Sequence, residues 1–139
     1  MMGASEMRLL NYKVLKINFE LNEEFETKEE KIFIQPFFHR DVIKINDKQY
    51  KINLSVNISS ELNKNQIPFN TEIIISTIFE LANWENEGVN KIAIDNGTAI
   101  MFPYLRNLLS TITMNANIPP YTLPIVNVLK LFKKDVEKK

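Results

Sequence analysis

The chain has 139 residues, of which 45% are hydrophobic, so it is long enough to form one domain with its own core. Its 17 basic and 17 acidic side chains cancel, and this balance does not favour nucleic acid or an anionic membrane as a partner. The lack of cysteine excludes disulfides and thiolate metal sites and is typical of a reducing compartment. No stretch approaches the ~18 apolar residues of a membrane span, so we predict a cytoplasmic protein without membrane insertion.

Alternation of apolar and polar residues predicts the strands. It is clear over residues 15–21 and 50–59, where one face of each strand would be buried and the other wet. The segment 32–45 is rich in β-forming residues but contains Pro36, which favours a bulge or an edge strand. A fourth strand follows over 73–81, and its partly apolar second face indicates a further cover.

The period changes after residue 83. Residues 85–94 are compatible with a short helix that ends at a turn formed by Asn96 and Gly97. Thr98 can then cap a longer helix that runs to about Asn117, where two prolines follow. The pattern therefore predicts two helices separated by a turn.

A crossover with several prolines follows at 118–126, and Asn127 can cap a last helix. Turn residues at 46–48 separate the second and third strands. Four strands followed by helices, without a βαβ alternation, indicate an α+β fold with a four-stranded antiparallel sheet and helices packed on one face. We assign residues 1–8 to a disordered start and 9–139 to a single domain.

Residues that could perform catalysis are scarce. His39 is the only histidine, so a two-histidine metal site is impossible within one chain and any Ser-His-Asp arrangement would have to use it. The acidic run at 22–30 is interspersed with lysine and lacks the turn glycine of a calcium loop. Three glycines in all leave no phosphate-binding loop. We therefore predict no catalytic residues, no metal and no cofactor, and a protein that is not an enzyme.

Apolar side chains are concentrated between Thr98 and Phe132. In the long helix they fall on one stripe, a pattern typical of an ordinary core. On the crossover they occupy irregular backbone, which normally runs at a surface, and there they indicate a groove wall or a subunit contact. The helix stripe consists of Met101, Leu105, Leu108, Leu109 and Ile112, and the crossover set of Tyr121, Leu123, Ile125 and Val126.

Two motifs in this region resemble those of the SecB export chaperone family. Residues 99–106, AIMFPYLR, resemble the family's I-L-F-P-Y-A-R helix start. Residues 118–128, IPPYTLPIVNV, resemble its F-P-x-L-x-L-x-P-V-N-F crossover, and residues 12–22 look like its first strand. The resemblance extends over residues 10 to 133, nearly the whole chain.

The resemblance implies a homotetramer built as a dimer of dimers, in which edge strands join within a dimer and the long helices pack between dimers. It implies that the helix stripe is the oligomer interface. It also implies apolar grooves that hold unfolded or precursor polypeptides without ATP and keep them ready for the Sec pathway. The client-binding groove would contain Tyr121, Leu123, Ile125, Val126, Phe132 and Trp84.

The resemblance also implies a partner, the motor protein SecA, which docks on acidic residues of the sheet. Glu20 and Glu72 match such positions, but Lys16 stands where an acidic residue is expected, and the neutral chain departs from a typically acidic family. Two alternatives therefore stay open. One is a SecB-like chaperone dedicated to another client, such as the antitoxin of a toxin–antitoxin system. The other is a small α+β enzyme or ligand-binding protein. Its candidate polar groups would be His39, Asp41 and Tyr50.

Overall fold

A computed structural model describes residues 7–26, 33–81 and 87–132 of the chain. The strands are β1 (Arg8–Leu21), β2 (Phe37–Lys44), β3 (Gln49–Ile58) and β4 (Phe69–Glu80). The helices are α1 (Ser60–Asn63), α2 (Glu87–Asn115) and α3 (Val128–Leu131). All four strands form one antiparallel sheet in the order β1-β4-β3-β2, so β1 and β2 are its edges.

The core lies between this sheet and α2. Every second residue of β3 from Tyr50 to Ile58 is fully buried, as the alternation predicts. The register places the alternate β4 residues from Phe69 to Phe79 on the same face. α2 packs against β3 and β4, so one face of the sheet is covered by helix. The predicted α+β fold is confirmed.

The predicted edge strand and turn are also confirmed. β2 begins directly after Pro36 and has a single neighbour, β3. At the following turn, the amide of Ile45 donates to the carbonyl of Gln49 at 2.9 Å. The side-chain oxygen of Asn46 accepts a bond from the amide of Lys48 at 2.8 Å, which is the local pairing that makes asparagine a turn residue.

The connection before β4 is shorter than the sequence predicts. β4 begins at Phe69 rather than at residue 73, and part of the predicted polar loop forms the one-turn helix α1. The hydroxyl of Ser59 caps α1 by accepting a bond from the amide of Leu62 at 3.1 Å. Lys64 ends it in the left-handed region, with φ of 59°.

The predicted division of the long helix is wrong. α2 is continuous through residues 96–97, because Gly97 serves close packing rather than a turn. A Cβ atom at Gly97 would lie 3.1 Å from the ring of Phe79 and 3.2 Å from the side chain of Ile52. Thr98 consequently lies inside the helix, where its hydroxyl donates to the carbonyl of Ile94 at 2.8 Å and caps nothing.

The end of α2 is where the sequence predicts it. Asn117 adopts φ of 64°, and its amide and that of Ile118 bond back to Met114 and Thr113 at 3.1 and 3.4 Å. Pro103 lies in the interior of the helix and not near its start, since α2 begins earlier than predicted. No helix within the described residues is long and apolar enough to cross a membrane.

Candidate functional site

The crossover between α2 and α3 is fixed by polar side chains of α2. Arg106 Nε donates to the carbonyl of Leu123 at 3.2 Å, and the hydroxyl of Ser110 donates to the carbonyl of Tyr121 at 3.0 Å. Thr113 Oγ1 accepts the amide of Tyr121 at 2.9 Å. Residues 106, 110 and 113 share one face of the helix because they are spaced by four and three. These bonds give irregular backbone a defined course along α2.

Aromatic rings anchor the start of the crossover to the sheet. The half-buried ring of Tyr121 packs edge-on against Phe69, with centroids 5.7 Å apart, and Phe69 stacks on Phe19 at 5.5 Å. The hydroxyl of Tyr121 donates to the carbonyl of Ile34 at 3.4 Å. Burial raises the pKa of Tyr121. The ring is thus part of a structural contact and presents only one side to a ligand.

The residues predicted to form a client-binding groove differ in exposure. Leu123 is buried in the core, whereas Tyr121 and Val126 are partly buried. Ile125 is 91% exposed and is the most accessible of the set. Trp84 lies outside the described residues. The binding role of the set stays a prediction, and Ile125 is the side chain best placed to meet a partner.

Phe132, the remaining member of the predicted groove, is buried and lies against a charge. Its ring sits over the guanidinium of Arg40, with 4.5 Å between the Arg40 Cζ and the ring centroid. Arg40 Nη1 also donates to Asp95 Oδ1 at 3.0 Å and to Thr98 Oγ1 at 3.1 Å. This cluster joins β2, α2 and the end of α3. Asn127 caps α3 as predicted, by accepting a bond from the amide of Lys130 at 3.3 Å.

The apolar stripe of α2 faces the sheet of its own chain. Met101, Leu105 and Leu109 have 0% exposure, and Leu108 and Ile112 are partly buried against the same core. The stripe is therefore the ordinary core pattern, because the fully buried side chains have no surface left for a partner. Its predicted role as an oligomer interface moves to outward-facing residues.

The edge strand β1 carries a row of apolar side chains that α2 does not cover. Pairing with β4 places Tyr12, Val14 and Ile17 on the helix side of the sheet, yet each is exposed, Ile17 by 49%. The ring of Tyr12 meets that of Tyr104 on α2 edge-on, with centroids 4.9 Å apart. Desolvation, followed by the neighbouring Tyr104, raises the pKa of Tyr12. We call this surface the β1 row, consisting of Tyr12, Val14, Ile17 and Leu21.

The opposite face of the sheet carries the predicted docking carboxylates. Glu20 and Glu72 both line a shallow hollow of about 250 Å³ whose other walls are largely amide and hydroxyl side chains. Lys16 Nζ lies 2.6 Å from Glu72 Oε1 and forms an ion pair with it. A second hollow shares Glu20 and adds Glu23 and Glu24, which the sequence pattern did not single out.

The polar groups considered for an enzyme do not converge. His39 Nε2 and Asp41 Oδ1 are 3.0 Å apart, but both side chains are exposed on the outer face of β2. Tyr50 is buried on the core face of β3, where its hydroxyl donates to the carbonyl of Ala93 at 2.9 Å. Within the parts of the chain that the structure describes, no group of three or more His, Asp or Glu side chains could hold a metal ion.

Several residues of the site could be found only in the structure. Arg40 and Asp95 are 55 positions apart, and nothing local marks them as a pair. The crossover ties were easier to detect, because polar residues at spacings of four and three on an otherwise apolar helix indicate a bonded face. The β1 row appears in the sequence as ordinary alternation, and its exposure depends on where α2 lies.

A four-stranded antiparallel sheet crossed by one long helix, with a tethered apolar crossover, is the architecture of a SecB-like chaperone. One such chaperone, from Mycobacterium tuberculosis, was solved in complex with a ChAD peptide from the HigA1 antitoxin. It matches 88% of this chain and 93% of its own with a TM-score of 0.68, at 14% identity. A protein of unknown function from Streptococcus agalactiae matches 86% of this chain and 98% of its own with a TM-score of 0.53, at 15% identity.

The family model for preprotein translocase subunit SecB matches residues 10–139. The chain belongs to the SecB family, whose members are chaperones and not enzymes. An uncharacterized protein of Methanocaldococcus jannaschii is 35% identical over 124 residues, which are 88% of this chain and 79% of that protein.

Two bacterial proteins named protein-export protein SecB are more distant. The one from Mesorhizobium japonicum is 23% identical over 92 residues, which are 66% of this chain and 54% of that protein. The one from Neisseria meningitidis is 28% identical over 94 residues, which are 68% of this chain and 64% of that protein. The chain thus matches less than two thirds of the length of either export protein.

Proposed function

We propose that this protein is an ATP-independent holdase that binds unfolded polypeptides through exposed apolar surface and so prevents their aggregation. The observation that carries the proposal is the crossover, in which polar ties to α2 hold the backbone in place while Ile125 projects almost fully into solvent. Apolar side chains on a fixed, irregular segment can bind many sequences through burial alone. Membership in a chaperone family supports this role.

We propose export precursors as the first class of client, in the cytoplasm, since the named bacterial relatives are export proteins. A second candidate is a dedicated client such as an antitoxin. The solved chaperone of the same fold, which binds an antitoxin peptide, supports it. Binding a single client and then binding several unrelated unfolded proteins under the same conditions separates the two, because a dedicated chaperone should favour one sequence strongly.

The chaperone role is tested by replacing Ile125 with serine. Burying an isoleucine side chain contributes about 1.5 kcal/mol, so Ile125→Ser should weaken client binding roughly tenfold. Light scattering of a denatured test protein diluted into buffer without ATP measures the loss of aggregation suppression. Thr122→Ala, an exposed change on the same crossover, is the matched control and should leave suppression intact. Equal suppression by Ile125→Ser and the unchanged protein would place the binding surface elsewhere.

Serine at Leu123 would be a poor test of the same surface. Leu123 is 1% exposed, so that change would remove core packing and would confuse unfolding with lost binding. Tyr121 shares this difficulty in part, because its ring contacts Phe69. Ile125 avoids it.

We further propose assembly into a dimer of dimers. Two β1 strands can pair because β1 is an edge with unbonded backbone groups on its outer side. Such pairing would bring the β1 rows of two chains together and cover their exposed apolar side chains. Ile100 and Tyr104 project from the exposed side of α2 and would contribute to the contact between dimers. The partly buried Leu108 and Ile112 are the members of the original stripe that can still take part.

We propose that docking of SecA, if this chain serves export, uses the hollow lined by Glu20 and Glu72. Carboxylates there would attract a basic segment, but the ion pair with Lys16 neutralises one of them. Docking should therefore be weak and sensitive to salt, since exposed charges are screened.

The docking proposal predicts opposite effects of two changes on one face. Lys16→Gln should strengthen binding of the carboxyl-terminal peptide of the organism's own SecA by roughly two- to fivefold, because it releases Glu72. Lys16→Asp should act in the same direction. Glu20→Lys combined with Glu72→Lys should abolish binding. Isothermal titration at low and high salt measures both, and Lys13→Gln, exposed on the same face opposite Ser76, is the charge-matched control. Tight binding that ignores salt and all four changes would refute the electrostatic assignment.

A further inference from the structure

The charge cluster around Arg40 lies outside every surface used so far. The side chain of Arg40 is 1% exposed and that of Asp95 is 10% exposed, so their contact at 3.0 Å is almost dry. Removing two charges from water costs several kcal/mol each, and a buried ion pair often stabilises a fold no better than apolar side chains would. A pair of this kind is therefore better explained by the geometry that it imposes. Here it locks β2 to α2 and holds the guanidinium plane in one orientation.

That plane is the seat of Phe132. The ring of Phe132 covers the guanidinium at 4.5 Å, and the residue is 5% exposed. A cation over an aromatic face is attracted electrostatically, more strongly when water is excluded. Asp95 and Thr98 hold the Arg40 Nη1 from the other side, so the guanidinium is oriented before the ring arrives.

The helix that precedes Phe132 has little else to hold it. None of the four residues of α3 is buried, and Leu129 is 62% exposed. A single helical turn is unstable in isolation, because nucleation costs more than one turn of hydrogen bonds returns. The position of α3 therefore depends on Phe132, on the partly buried Val128 and on its contact with α2.

We infer that Phe132 is a latch: its ring on the Arg40 guanidinium keeps α3 closed over the sheet, and its release uncovers apolar surface that an unfolded polypeptide can occupy. This inference rests on the proposed holdase function. It differs from the sequence-based prediction, in which Phe132 itself touches the client, because a side chain that is buried in the closed form competes with the client and does not assist it.

Amide hydrogen exchange measured by mass spectrometry tests the latch without reference to activity. Phe132→Ala should speed exchange across residues 127–131 by roughly tenfold and leave β3 and β4 unchanged. Arg40→Lys should act in the same direction, because an ammonium can still face Asp95 but offers no planar surface for the ring. Phe132→Trp should preserve or slow exchange. Lys130→Ala, on an exposed side chain of α3, is the matched control. Unchanged exchange in Phe132→Ala would overturn the latch.

Binding of a permanently unfolded, fluorescently labelled protein then tests gating. If Phe132 closes the surface, Phe132→Ala should bind this probe several-fold more tightly than the unchanged chain, since opening no longer opposes binding. Weaker binding would overturn the inference and return Phe132 to the client contact. A chain that binds no unfolded probe in either form would refute the holdase function, whereas the exchange result would still decide whether the latch exists.

Discussion

Leu105→Asp should unfold the chain and not merely divide an oligomer. Leu105 is completely buried beneath α2 within a single chain, so an aspartate there would place an unpaired charge in the core. We expect a loss of about 4 kcal/mol or more in the free energy of unfolding, comparable to the whole stability of many small domains. Urea unfolding followed by circular dichroism measures it.

Asn107→Asp is the matched control for this change. It adds the same charge two residues away on an exposed position of the same helix. Its midpoint of unfolding should stay close to that of the unchanged chain. A Leu105→Asp protein that keeps the normal midpoint but has a smaller mass would show instead that Leu105 lies at a subunit contact, as the apolar stripe alone predicts.

Ile17→Lys should dissociate the proposed assembly while leaving each chain folded. Ile17 belongs to the β1 row and is half exposed in the single chain, so a lysine there can remain in water in the monomer. In a symmetric dimer the change occurs twice in one contact, and two charges would replace two buried isoleucines. Each buried isoleucine contributes about 1.5 kcal/mol, so we expect the dissociation constant to rise at least about a hundredfold.

Size-exclusion chromatography with multi-angle light scattering at micromolar concentration measures this effect. Asn18→Lys is the matched control, because it adds the same charge at the next residue of β1 but on the opposite face of the sheet. We expect Asn18→Lys to keep the mass of the unchanged protein. An unchanged chain that is monomeric at high concentration would refute the assembly, and an Ile17→Lys protein that keeps the full mass would remove the β1 row from it.

The features that could be predicted from the sequence are those whose cause is local. Alternation on β3, the proline at the start of β2, the turn at Asn46 and the cap at Asn127 each depend on residues within a few positions of one another. The resemblance to the SecB family extends over nearly the whole chain, and the family match confirms it. Local rules and family motifs together were therefore sufficient for the fold class.

Misassignments occurred where two local rules favoured a turn but packing favoured a helix. The pair at 96–97 is a common turn signal, yet Gly97 lies inside α2 because the helix approaches Phe79 too closely for any side chain. Thr98 was assigned as a cap for the same reason, whereas its hydroxyl serves Arg40 and the carbonyl of Ile94. The distance between a helix and a sheet is not a property of either segment alone.

The order of strands and helices, the caps and the family follow from residues that are neighbours along the chain. The division of apolar side chains between core and accessible surface does not, because it depends on where α2 crosses the sheet. That crossing buries Leu105, leaves Ile17 exposed and brings Arg40 to Asp95 across 55 positions. Apolar periodicity is the same for a side chain that meets its own sheet and for one that meets another chain. Only the packed structure, in which distant segments exclude water from one another, separates the two.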